Sequence, residues 1–395
     1  MVRRSTLTVR RHLPDPFTAL RLERLELRDV PSTVYGSDGR PAADPAATPE
    51  TPAELAVIHG DEFAETHSDG LVAQPLLAQP RGRYAVGSGA GRPAQVNVYD
   101  AQTNALLGII TPFGGRFTGG ARVATGDLNA DGIEDIVVSA GPGGAPWVEV
   151  YNGASLKLAT KMLAYAPSFT GGVFVATGDV DGDGRCDLVT GAGEGGGPHV
   201  RMLSGADLFP SSPNRPTNGP SVAQRNFFAY SEQFHGGASV AVADVNHDGY
   251  ADIVTGAGAG GAPHVIVFSG KDGTELQNFF AFDPALRTGV SVAAGDIDGD
   301  GVVELVVAPM TGGAPRVGVY VDGHETSNFF AFDESTRSGA SVAIRDIDGN
   351  GSMELVVATG PGVAPKARVI DPRTHATVRE FPALTPDYNG GLFVG

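Results

Sequence analysis

From residue 84 onward the apolar positions of this chain come in short runs that never take up a helical period. Ile136-Val-Val138, Leu188-Val-Thr190, Ile253-Val-Thr255, Leu305-Val-Val307 and Leu355-Val-Val357 each follow an acidic stretch and precede a Gly-rich turn. Continuous apolar triplets bounded by turn residues predict strands buried on both faces. One unit can be phased from its best-spelled copy. Strand A is Ser239–Ala243, strand B is Ile253–Thr255, the turn Gly256–Pro263 leads into strand C, His264–Phe268, and after the Gly270–Gly273 turn strand D ends in Asn278-Phe-Phe-Ala-Phe-Asp283. That last string recurs at Asn226–Tyr230 and Asn328–Asp333, and its repetition at one phase predicts aromatic packing between successive units.

The acidic stretches fix the period. Their first residues are separated by 52, 65, 52 and 50 positions, the long interval carrying an insertion near Phe209–Pro220. About 50 residues holding four strands is the signature of a β-propeller blade. Residues 84–113 match strands B, C and D with no strand A before them, whereas Gly390–Val394 match the strand A spelled Gly171–Val175. The expected architecture is therefore all-β: six four-stranded antiparallel blades over 84–395, the C-terminal strand completing the first blade and removing two open edges.

Each acidic stretch reads D-x-[DN]-x-[DN]-G-x-x-[DE]. The ligand sets, with the position-seven residue offering its carbonyl, are Asp127, Asn129, Asp131, Ile133 and Asp135; Asp179, Asp181, Asp183, Arg185 and Asp187; Asp244, Asn246, Asp248, Tyr250 and Asp252; Asp296, Asp298, Asp300, Val302 and Glu304; and Asp346, Asp348, Asn350, Ser352 and Glu354. Oxygen donors at alternate positions with Gly at the bend suit a hard cation such as Ca²⁺. An EF-hand needs a bidentate Glu at position twelve and flanking helices, but position twelve here is Val138, Thr190, Thr255, Val307 or Val357, inside the apolar runs. Position nine must then close the shell, and about five Ca²⁺, one per loop, are expected.

Composition sharpens this picture in a few places. Net charge is −17, and three or four carboxylates per loop account for most of it. An acidic chain with no basic stripe is a poor candidate for nucleic acid. Cys186 is the only cysteine, so no disulfide forms within the chain. No run approaches the ~20 apolar residues of a membrane-spanning helix. The expected species is a monomer.

Residues 1–83 share nothing with the repeats and read as a leader followed by a largely disordered linker. Met1–His12 is basic, yet no apolar core of a secretory signal follows. From Tyr35 to Pro80 the chain is rich in Pro, Ala, Thr and acidic residues, which bury too little apolar surface to offset ordering entropy. Leu22–Ser32, spelled L-E-R-L-E-L-R-D-V-P-S, resembles a leader near the N-termini of planctomycete surface and secreted proteins, which implies export.

The repeats resemble the FG-GAP/VCBS family, the calcium-loop propellers that include the head of integrin α-subunits and many bacterial surface proteins. The resemblance implies calcium at the loop positions above. In place of Phe-Gly, strand A opens with Gly171-Gly172, Gly237-Ala238 or Gly289-Val290, so integrin-like ligand binding does not carry over with the fold.

Function is expected where the frame repeats and the chemistry varies. Strand C opens with Gln95, Trp147, His199, His264, Arg316 or Lys366, one per blade, on the face opposite the acidic loops. D–A loop residues including Phe117, Phe169, Phe234 and Tyr388 stand beside them. Aromatic and cationic residues around a concavity favour binding. The expected function is non-catalytic adhesion to an extracellular protein or glycan at the cell surface or outside it. A lectin-like module using Trp147 and Tyr388, or a polysaccharide lyase or hydrolase, are the competing readings. No nucleophile with His and Asp partners and no H-E-x-x-H appears, and the paired carboxylates are committed to the loops.

Overall fold

The computed structural model describes residues 82–209, 225–347, 353–381 and 388–395, all within one compact unit, Gln74–Gly395. The leader, the linker and most of the insertion at 209–220 lie outside the described residues.

Six four-stranded antiparallel sheets form. Blade 1 holds β1 (Arg83–Ser88), β2 (Val96–Asp100) and β3 (Leu106–Ile110), and blade 2 holds β4 (Ala121–Gly126), β5 (Asp135–Ala140), β6 (Trp147–Tyr151) and β7 (Leu158–Leu163). Blade 3 comprises β8 (Val173–Gly178), β9 (Asp187–Ala192), β10 (His199–Leu203) and β11 (Arg225–Phe228), with a single helical turn, α1 (Gly205–Leu208), after β10. Blade 4 comprises β12 (Ala238–Ala243), β13 (Asp252–Ala257), β14 (His264–Phe268) and β15 (Glu275–Phe280). Blade 5 comprises β16 (Val290–Gly295), β17 (Glu304–Pro309), β18 (Arg316–Val321) and β19 (His324–Phe330). Blade 6 comprises β20 (Ala340–Arg345), β21 (Glu354–Thr359), β22 (Ala367–Ile370) and β23 (Thr377–Phe381), and β24 (Leu392–Val394) returns to blade 1. There it pairs with β1 in the register Val86↔Val394, Gly87↔Phe393 and Ser88↔Leu392, as the split repeat predicts.

Burial explains the sequence pattern. Each B strand is covered by neighbouring blades on both sides, so β5, β9, β13 and β17 are buried at every position. The D strands lie at the rim and alternate, as in β15. Apolar clusters sit between blades: Val137, Val148 and Val150 of blade 2 meet Val173, Val175 and Leu188 of blade 3, and Val356, Ala358 and Val369 of blade 6 meet Tyr84, Val86 and Leu392 of blade 1. The closing seam thus has a core like any other.

The repeated aromatic pair of strand D divides between two roles. Phe227, Phe279 and Phe329 pack against Phe268, Tyr320 and His375 of the next blade at 4.8, 5.1 and 4.3 Å between ring centres. Phe228, Phe280 and Phe330 are exposed. Both members were expected to pack between blades, but successive strand residues point to opposite faces, so only one of each pair reaches the next blade.

The glycine opening strand A has a backbone reason. Gly172 has φ +80°, and a Cβ there would lie 2.8 Å from backbone atoms of Gly141 and Pro142 in the preceding blade. Gly120, Gly237, Gly289, Gly339 and Gly391 repeat the positive φ and the close approach. Glycine is required there because adjacent blades touch through backbone.

The seam at blade 1 is also tied from outside its own sheet. The closing strand is three residues long where the other A strands have six, and beyond it Arg345 of blade 6 donates to the Thr125 carbonyl of blade 2 at 3.0 Å. Thr125 Oγ1 donates to the Arg83 carbonyl at 3.0 Å, and the Arg83 amide donates to Glu134 at 2.6 Å.

Candidate functional site

The acidic loops join strand A to strand B at one end of the blades, and the four whose residues are all described share one geometry. The position-one carboxylate folds the bend by accepting backbone N–H groups ahead of it: Asp127 takes those of Asp131 (3.1 Å) and Gly132 (2.9 Å), and Asp244 those of Asp248 (3.0 Å) and Gly249 (2.9 Å). Asp179 and Asp296 bond Gly184 and Gly301 at 2.9 Å. The position-seven amides of Ile133, Arg185, Tyr250 and Val302 donate to Asp131, Asp183, Asp248 and Asp300 at 2.8–3.1 Å. The position-six glycines 132, 184, 249 and 301 have φ of +79° to +87° with open space around a Cβ, so the demand there is conformational. Position four is left-handed as well, at Ala130, Gly182, His247 and Gly299, a requirement the degenerate x in the motif conceals.

Position nine is the hub. Asp135, Asp187 and Asp252 are fully buried at the start of strand B. One oxygen accepts the position-two amide, from Leu128 (3.2 Å), Val180 (2.9 Å) or Val245 (2.9 Å); the other accepts the amide of Gly153, Gly205 or Gly270 in the C–D turn, at 2.9–3.0 Å. Glu304 and Glu354 bond Ile297 and Ile347 at 2.9 and 3.0 Å. The eighteen-residue link from position nine to the C–D turn leaves no motif in the sequence beyond a turn glycine.

The donor set fits a hard cation. Carboxylate oxygens of Asp179, Asp181 and Asp187, and separately of Asp296, Asp298 and Asp300, all lie within 4.8 Å of one another. Ca²⁺ binds oxygen at about 2.3–2.6 Å, so one ion can touch all three in either group. In the fifth loop Asp346 and Glu354 are described, whereas Asp348, Asn350 and Ser352 lie outside the described residues. Electrostatics agrees with the fit: burial, reinforced by neighbouring loop carboxylates, pushes Asp135 and Asp187 up to about 7 and also raises Asp252 and Glu304. A cation would remove that penalty. Cys186, at position eight, is half-buried and its thiol is pushed up to about 11 by burial, which keeps it unreactive.

The six residues stand at the other end of the blades, Trp147, His199, His264 and Arg316 opening the third strand from the axis and Gln95 and Lys366 one residue ahead of it, and each leans on a neighbour. Lys161 Nζ lies 4.5 Å above the Trp147 ring. His199 lies tilted against Phe228 at 4.9 Å and bonds Asn226; His264 stacks on Phe280 at 4.6 Å and bonds Asn278 at 2.6 Å. Arg316 pairs with Glu325 (2.8 Å), Lys366 with Glu380 (2.9 Å), and Gln95 donates to Asn97 (2.8 Å). They are spread around an outer rim. The loop phenylalanines Phe117, Phe169 and Phe234 fill space over Gly144, Gly196 and Gly261, and Tyr388 is buried with its hydroxyl on the Ala90 carbonyl at 3.2 Å.

Comparison with known proteins agrees with the blade phase. Residues 127–190 and 244–307 match the FG-GAP-like repeat family, each span running from a first loop ligand into strand B of the following blade. Integrin alpha-V of Gallus gallus is 30% identical over 162 residues, 38% of this chain, and the match spans 15% of that protein's length. The two matched spans carry FG-GAP-like repeats within a six-bladed β-propeller. Among solved structures, the rhamnogalacturonan lyase YesW overlaps 81% of this chain and 70% of its own at 12% identity and a TM-score of 0.36. The exotype rhamnogalacturonan lyase YesX overlaps 76% and 61% at 12% identity and 0.38. Among the described residues no helix is long and apolar enough to cross a membrane.

Proposed function

We propose that this chain is a calcium-stabilised, non-catalytic binding propeller that works outside the cell or at its surface, engaging a protein or glycan through the face opposite the acidic loops. The observation that carries it is the position-nine carboxylate. In each loop it is bonded to backbone of the A–B connection, and in three of them also to the C–D turn, so these buried carboxylates serve to hold strands together. Calcium supplies charge compensation for carboxylates that burial otherwise disfavours. Ion-dependent folding matches millimolar extracellular calcium, where modules commonly bind at Kd near 10⁻⁴–10⁻³ M. The weak likeness to part of an integrin α-subunit supports an adhesive role without naming a partner.

Calorimetric titration of chelated protein should give close to five calcium sites and a melting temperature that rises with calcium; two sites or fewer would end the staple reading. A protein and glycan array should then show binding that Trp147→Ala with Arg316→Ala weakens by about 2 kcal/mol or more per hot spot. Binding untouched by that pair but lost on altering the loop face would place the partner on the other side of the disc.

A further inference from the structure

The blades enclose an axial cavity of about 260 Å³, opening among the B–C turns through Pro142, Thr311 and Pro361. Its wall is the second residue of each A strand: Arg122, Phe174, Ser239, Ser291, Ser341 and Phe393. The repeat frame thus places one cation, two phenyl rings and three hydroxyls around the axis.

The serines are engaged. Ser239 donates to the Val290 carbonyl at 2.7 Å and Ser341 to that of Leu392 at 3.1 Å, each tying its blade to the next, while Ser291 accepts the Val342 amide at 3.4 Å. Arg122 spends one Nη on the Val173 carbonyl at 3.1 Å and rests 3.7 Å from the Phe174 ring centre and 5.2 Å from that of Phe393. Its Nε has no partner. No acidic side chain lines the cavity among the described residues, although the chain carries a net −17. What surface Arg122 keeps opens into this space. Burial pulls its pKa down to about 10, which leaves it charged at neutral pH.

A guanidinium in a poorly hydrated site is costly unless it meets an anion. The aromatic faces offset part of that, and a carboxylate supplies the rest through charge-assisted hydrogen bonds in the fork geometry. We propose that the axial cavity binds a small organic carboxylate, its charge held by Arg122 and its apolar body lying along the axial cavity against the apolar part of its wall. The volume falls just below the ~300–1,000 Å³ usual for ligand pockets, so the ligand is a compact one. The assignment is independent of what the outer rim binds.

The test compares benzoate with benzamide, the uncharged molecule of the same shape, on the full chain in calcium, by isothermal calorimetry and saturation-transfer NMR. Benzoate should bind at least tenfold tighter than benzamide, and Arg122→Gln should abolish the difference while Arg122→Lys keeps part of it. Should Arg122→Gln fail to fold, Thr311→Trp at the exposed mouth decides: it leaves Arg122 in place and should weaken benzoate at least tenfold. Equal affinity for the two probes, no benzoate binding at millimolar concentration, or benzoate affinity undiminished by the variant that folds would overturn the proposal.

Discussion

Replacing Asp252 by Ala separates the two roles of a position-nine carboxylate. In the protein its oxygens accept the Val245 and Gly270 amides, each at 2.9 Å, inside a fully buried site. Truncation strands both donors at ~1–3 kcal/mol each. Removing a carboxylate whose pKa is raised by burial recovers part of this, so the net loss in chelator should be about 2–4 kcal/mol. Calcium adds a second loss: at about 10 mM calcium and a site Kd near 10⁻⁴ M, the ion contributes ~2.7 kcal/mol that the variant forgoes. Urea unfolding, followed by circular dichroism with and without chelator, should therefore show the deficit widening to about 5–7 kcal/mol in calcium. An equal deficit under both conditions refutes the ligand role, and no deficit in chelator refutes the hub.

Glu149 is desolvated, which alone would raise its pKa, but hydrogen bonds from Lys161 (2.6 Å), Tyr151 and the Phe113 amide lower it. A depressed pKa contributes stability that is present above the unfolded value near ~4.3 and lost as pH falls through the folded value, so the melting-temperature gap between wild type and Glu149→Gln should shrink on acidification below that point. Deleting 390–395 removes β24 with buried Leu392 and Val394, a loss of about 3–6 kcal/mol from apolar burial, seen as a large fall in melting temperature; an unchanged melt would contradict closure through this strand. Gly260→Ala, at φ +78° in open space, should cost ~1–2 kcal/mol, while Gly172→Ala, whose Cβ meets backbone at 2.8 Å, should cost clearly more in the same urea assay.

The blade phase was legible because its causes are local. Every B strand is buried on both faces, so β13 writes Ile253-Val-Thr255 as an unbroken apolar run, and the acidic loop before it is spelled by ligand chemistry at fixed spacing. The divided fate of Phe279 and Phe280 could have been read from strand alternation alone. Other features depend on residues far apart in sequence. The bond from Asp252 to the Gly270 turn appears only once β13 and β14 pair, and the contact that makes Gly172 obligatory comes from the preceding blade. Arg122 is one arginine among many until six A strands turn the same position toward an axis. At the rim, the sequence shows which residues open strand C but not that Lys161 covers Trp147 or that Glu380 pairs with Lys366.

Blade 1 differs from the other five in a way that sets the arithmetic of the ions. Its strands A and B, β24 and β1, come from opposite ends of the propeller segment, so no A–B hairpin joins them as it does in the other five blades. Five loops on six blades is thus a corollary of where the ring is cut. The seam where a loop would stand is instead crossed by the hydrogen bonds of Arg345, Thr125 and Glu134. A circular permutant that links Gly395 to Gly82 through a copy of one acidic loop and opens elsewhere should acquire a sixth ion site at the old seam and release Arg345 from its bridging task.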